Sequence, residues 1–250
     1  MDYGANLSSK NDIVPPLTAG ELLGTTFTMF FAGIHWIIPV VLLFFLPAFV
    51  GVYLVIDLGV FTSPLGITAA IILITMVSSF MAQGAVTFGV VEKLAGRKVS
   101  VGRVVSKGLT RLPSIFLVAL LTGVLVALGT LALVIPGIIA AMMFFVAVPI
   151  ATVESGGPIE AMRKSVQMTE GYKWILFAGA FVVGIIQKVF DSISESLIMT
   201  AGSALEITIY LLAFIVVTAA LRSVMAAVAY ARIKHSTEGI DVSALARIFD

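Results

Sequence analysis

The chain has 250 residues, 60% of them hydrophobic and only 12% charged, about half the charged share of an ordinary soluble domain. So few charges cannot cover the surface of a sphere of this size, so a wholly water-exposed globule is excluded and part of the solvent is lipid. The net charge of +1 points to neither nucleic acid nor an acidic partner, and the absence of cysteine removes disulfides and thiolate metal sites.

A bilayer core about 30 Å thick takes roughly 20 apolar residues per helix. The polar segment 1–17 has no apolar stretch before a small-residue cleavage site, so it does not read as a signal peptide. In segment 18–35, Thr18 and Glu21 have the spacing of a capping box. Leu22, Leu23, Phe27, Phe30, Phe31 and Ile34 follow at helical spacing, which predicts an amphipathic helix lying in the cytoplasmic interface. Gly33 is expected to break it and Trp36 to enter the membrane boundary, where its ring is favoured. The first span is then Trp36–Ile56, kinked by Pro39 and Pro47.

The second span, Ile67–Val91, carries Gln83 at mid-membrane, as an interhelical hydrogen-bonding residue or a pore-lining one, and is followed by Glu92. Segment 100–112 predicts another interfacial helix, with Ser100 as its cap. Val101, Val104, Val105, Leu109 and Leu112 lie on one face, and Arg103, Lys107 and Arg111 follow at i, i+4 and i+8 on another. With Arg97 and Lys98 these cations form the strongest local signal. Each adds about 1 kcal/mol near an anionic leaflet. They serve topology alone, or they contact anionic lipid or an acidic partner protein. The segment is too short and too closely tied to the membrane to read as a nucleic-acid site.

Arg111 and Glu154 enclose 42 residues without a charge. As one helix these would run about 63 Å, twice the bilayer core. They are read as two spans, Ser114–Ile135 and Ile138–Val153, reversing at Pro136-Gly137; a kinked span plus a re-entrant piece is the alternative. Segment 158–171 predicts a third interfacial helix, with Pro158 in its first turn, Ile159, Met162 and Val166 as its apolar stripe, and Gly171 as its stop. Glu160 and Lys164 are spaced to pair at i, i+4. Span five is Trp174–Phe190, with Lys188 and Asp191 at its outer end, and span six is Ile207–Ala229, followed by a tail over 236–250. Arg222 lies inside span six, and an intramembrane charge is a functional candidate by default. It snorkels to the headgroups, binds a lipid phosphate, or pairs with Glu92 or Glu154, which otherwise are polar residues ending spans two and four.

Thirteen of the 15 basic residues fall on the side of the chain termini, so both termini are expected in the cytoplasm. Gly33-x-x-Trp36 and Gly171-x-x-Trp174 share wording. The whole chain, 1–250, reads as a single all-α membrane domain: six transmembrane helices in three hairpins, each preceded by a cytoplasmic interfacial amphipathic helix.

The stretch 133–174, LVIPGIIAAMMFFVAVPIATVESGGPIEAMRKSVQMTEGYKW, resembles the membrane domain attached to some glycerophosphodiester phosphodiesterases and its stand-alone YciC-type relatives in bacterial inner membranes. The matching pieces are Pro136-Gly137, Val148-Pro149, Glu154, Ala161–Ser165 and Gly171-x-x-Trp174. The ending, with Tyr230, Arg232, Glu238 and Gly239, is also similar. The resemblance implies a polytopic helical domain in a bacterial inner membrane. In that family phosphodiester hydrolysis belongs to a separate soluble barrel with histidines and metal-binding carboxylates. This chain has two histidines, His35 and His235, and no Walker loop, Gly-x-Ser-x-Gly or zinc-binding helix motif. The expectation is a non-enzymatic scaffold or accessory domain, without metal or cofactor, contacting anionic lipids and a protein partner or a second copy of itself. The alternative is a transporter, channel or binding protein for a lipid or small amphiphile, in one form an oligomeric pore, resting on Arg222, Gln83, Pro39 and Pro47 in span one and the Pro136-Gly137 break.

Overall fold

The structure is a computed structural model, described over residues 17–57, 63–200, 202 and 204–238. Among the described residues the chain forms nine helices and no strand. They are α1 (Ala19–Asp57), α2 (Pro64–Leu94), α3 (Val101–Thr110), α4 (Leu112–Ala132), α5 (Val134–Met143), α6 (Ala147–Val153), α7 (Pro158–Met168), α8 (Lys173–Thr200) and α9 (Ala204–Glu238). Six stretches have the length and apolarity to cross a bilayer: Ala19–Gly51, Leu65–Leu94, Leu112–Ala132, Val134–Val153, Lys173–Leu197 and Leu212–Thr237.

The capping box at the start of α1 forms. The Thr18 amide donates to Glu21 Oε2 and the Glu21 amide to Thr18 Oγ1, each at 3.2 Å. The break expected at Gly33 does not occur. α1 runs 39 residues through Gly33, Pro39 and Pro47, about 58 Å at helical rise. The reason is packing. Leu22, Met29, Trp36, Val40 and Phe44 form one buried stripe across the glycine, and tertiary burial outweighs the modest helix cost of a single Gly.

α1 packs antiparallel to α2. A Cβ on Gly89 would lie 2.4 Å from the Trp36 ring, Gly51 faces Ile74, and Lys93 Nζ donates to the Ala32 carbonyl at 2.9 Å. α9 lies against both helices. From Ala219 to Ile233 it is buried on nearly every face apart from Arg222, as befits a helix made mostly of small apolar residues. α8 runs alongside, with Gly179 facing Leu22 and Met225, and Phe190 packed on Phe214 at 5.7 Å. α8 ends ten residues beyond the predicted end of span five, and α9 takes in 236–238 of the predicted tail. The rest of that tail and segment 1–16 lie outside the described residues.

The reversal after α4 falls at Leu133, whose backbone is extended (φ −162°, ψ 147°). Pro136 and Gly137, expected to form the turn, are instead in the first turn of α5. Proline suits that position because amides there have no intrahelical partner. Gly137 presses on α4, where an added Cβ would lie 2.1 Å from Thr130 Oγ1 and 2.7 Å from Thr130 Cα. The predicted fourth span is likewise two pieces, α5 and α6, separated by Phe144–Val146. The Met143 carbonyl released at that break accepts Ser165 Oγ at 2.8 Å and Thr169 Oγ1 at 3.3 Å, both from the α7 side. Irregular backbone within an apolar stretch is tolerated when protein groups satisfy it in this way.

Candidate functional site

The basic helix α3 presents three faces. Val104 and Gly108 are buried against α2, where a Cβ on Gly108 would lie 3.1 Å from that of Ala85. Arg103 and Lys107 are exposed along a second line that ends at half-buried Arg111, while Val101 and Leu109 are exposed apolar residues on a third. Spacings of four residues on all three lines produce this division. In the preceding linker Lys98 is exposed and Arg97 half-buried.

A buried carboxylate anchors this helix. Glu92 is 1% exposed and accepts Arg103 Nη1 at 3.3 Å on Oε1, while its Oε2 has no partner among the described residues. Burying a carboxylate is costly unless it is paired, so this bond ties α3 to the end of α2.

A second carboxylate gathers two other helices. Glu154, just beyond α6, accepts Lys164 Nζ at 2.8 Å on Oε2, and Tyr230 Oη at 2.9 Å and Lys234 Nζ on Oε1. Tyr230 and Lys234 stand at i, i+4 on α9, and Lys234 is only 4% exposed. Burial alone would raise the Glu154 carboxyl. The bonds from Lys164, Lys234 and Tyr230, with the Lys234 charge, outweigh burial and hold it below its ordinary 4.5. Nearby, Arg232 Nη2 donates to Thr25 Oγ1 at 3.1 Å, and Tyr172 Oη bonds Ser236 Oγ at 3.0 Å. The end of α9 is thus tied to α1, α6, α7 and the start of α8.

The two acids are therefore neither simple span ends nor partners of Arg222: Glu92 takes Arg103, and Glu154 takes Lys164 and Lys234. Arg222 is exposed on α9, with Asp191 as its electrostatic neighbour. Gln83 is half-buried and adjoins Gly84, which packs on Ile115 and Thr152. That contact places Gln83 level with the first turn of α4, nearer one end of the bundle than its middle. An apolar cavity of about 320 Å³ lies between α2 and α4, and another of about 490 Å³ between α5 and α8. Gln83 and Arg222 line neither of them.

Sequence reasoning missed Tyr230 and Lys234 as the partners of Glu154. Their signal is a Tyr and a Lys at i, i+4 at the end of a long apolar helix. Among the described residues no group of three or more His, Cys, Asp and Glu is placed to hold a metal ion. Comparison with protein families, with curated proteins and with solved structures finds no match to this chain.

Proposed function

We propose that this chain is a non-enzymatic scaffold or accessory domain of a bacterial inner membrane, of the kind the phosphodiesterase-linked membrane domains represent. Its six apolar stretches cross the bilayer as three hairpins with both termini in the cytoplasm. α3 and α7 lie at the cytoplasmic face, and the cations of α3 hold anionic headgroups.

The observation that supports this reading is the three-faced form of α3. One face docks on α2, an apolar face carries Val101 and Leu109, and a cationic line runs through Arg103 and Lys107 beside Lys98. A helix with an apolar and a cationic outer face suits the boundary between acyl chains and phosphates. The docking bond to Glu92 uses one Arg103 nitrogen and leaves the side chain 55% exposed.

The test is native mass spectrometry of protein released from nanodiscs of equal phosphatidylglycerol and phosphatidylcholine. Phosphatidylglycerol is expected to be enriched on the wild type. Lys98→Gln with Lys107→Gln should reduce that enrichment at least about fivefold, given about 1 kcal/mol for each cation near an anionic surface. Equal enrichment in both proteins would overturn the assignment of α3.

A further inference from the structure

The outer side of α7 joins an apolar groove to a polar depression. The groove, about 420 Å³, lies between α4 and α7 and is lined by Leu121, Val124, Leu125, Phe144, Met162 and Val166. It also includes Ile159 and Arg163, and both of these line the adjoining depression of about 490 Å³ with Glu160, Lys164 and Gln167. Each space falls in the ~300–1,000 Å³ range of small-molecule sites. Together they make one track, apolar at one end and charged at the other.

The charged end holds both signs. Glu160 and Arg163 are i, i+3 neighbours on α7, an arrangement that normally favours a direct pair. Here they form no ion pair with each other, and both are exposed. Glu160 leans back toward Gly156, where an added Cβ would lie 2.8 Å from its Oε2. Lys164 is drawn toward Glu154 at 2.8 Å. Arg163 is therefore the cation at the junction of groove and depression, with a carboxylate one helical turn away.

We propose that this track binds one zwitterionic aminophospholipid. An acyl chain occupies the α4/α7 groove, the phosphate meets the Arg163 guanidinium with Gln167 beside it, and the primary ammonium donates to Glu160. A purely anionic headgroup would meet repulsion from Glu160. A quaternary ammonium has no N–H for Glu160 to accept. The site is separate from α3 and does not depend on that reading.

The test uses nanodiscs containing equal phosphatidylethanolamine, phosphatidylcholine and phosphatidylglycerol, with retained lipid identified by native mass spectrometry. Beside the phosphatidylglycerol held at α3, the wild type is expected to keep one phosphatidylethanolamine in preference to phosphatidylcholine. Arg163→Gln should lower its retention roughly tenfold, the loss of one charge-assisted contact. Glu160→Gln should abolish the preference over phosphatidylcholine while raising phosphatidylglycerol, and Leu125→Trp should fill the groove and displace the lipid. All three side chains are exposed, so folding is checked by unchanged helicity and thermal midpoint. Lys98→Gln with Lys107→Gln should leave phosphatidylethanolamine in place, which separates this site from α3. Equal retention of phosphatidylethanolamine and phosphatidylcholine by the wild type, or phosphatidylethanolamine retention unaffected by Arg163→Gln and Glu160→Gln, would overturn the proposal.

Discussion

Glu154 draws donors from α7 and α9 onto a single carboxylate that is 18% exposed. Removing one member of such a pair leaves a poorly solvated charge behind. Glu154→Gln is therefore expected to cost about 3 kcal/mol, the low end for a broken buried pair, read as a drop in thermal midpoint in detergent. The pH dependence follows from its direction of shift. Because the folded carboxyl lies below 4.5, its stabilisation is present above that value and fades as pH falls through the folded one. Between pH 7 and pH 4 the wild-type midpoint should fall further than that of Glu154→Gln; equal falls would remove Glu154 from the account. The acid itself was visible in the sequence as the charge ending a long apolar run. Its partners were not, because Lys164 lies ten residues on and Lys234 eighty, and only the assembled fold brings them to it.

Among the elements, the reversal between α4 and α5 depends on close approach at Gly137. Gly137→Ala would place a methyl against the Thr130 backbone and should cost about 1–3 kcal/mol, the usual penalty of overpacking. Gly184→Ala, on α8, meets nothing within 4 Å and should be neutral or stabilising by up to about 1 kcal/mol. The same thermal-shift assay compares the two, and equal effects would contradict the packing described. At the α5–α6 break, Ser165→Ala with Thr169→Val strips the Met143 carbonyl of its side-chain donors and should cost roughly 1–2 kcal/mol. Hydropathy made the number of spanning stretches legible, since only apolar length is needed. The position of the reversal was not legible, because a Pro-Gly pair serves equally in a turn and in the first turn of a helix. The continuity of α1 was hidden for a related reason: Gly33 looks like a stop until Trp36 and Ile37 are seen packed over it.

For the whole molecule, charge and apolar surface separate along the bundle. Arg103, Lys107, Lys164 and Lys234 gather where α2, α6 and α9 end, while exposed Leu128, Leu131, Leu133 and Ile135 mark the opposite end around the α4–α5 reversal. That separation underlies the proposed orientation, and every lipid contact assigned to α3 depends on it. The native chain has no cysteine, so single cysteines report position without background. Ser106 is exposed on α3 and Ser196 is exposed near the far end of α8. The decisive measurement is labelling of Ser106→Cys and Ser196→Cys by a membrane-impermeant maleimide, in intact cells and again after lysis. The account predicts that Ser196→Cys is labelled in intact cells and Ser106→Cys only after lysis. Labelling of Ser106→Cys in intact cells would place the basic helix on the wrong side of the membrane and contradict it.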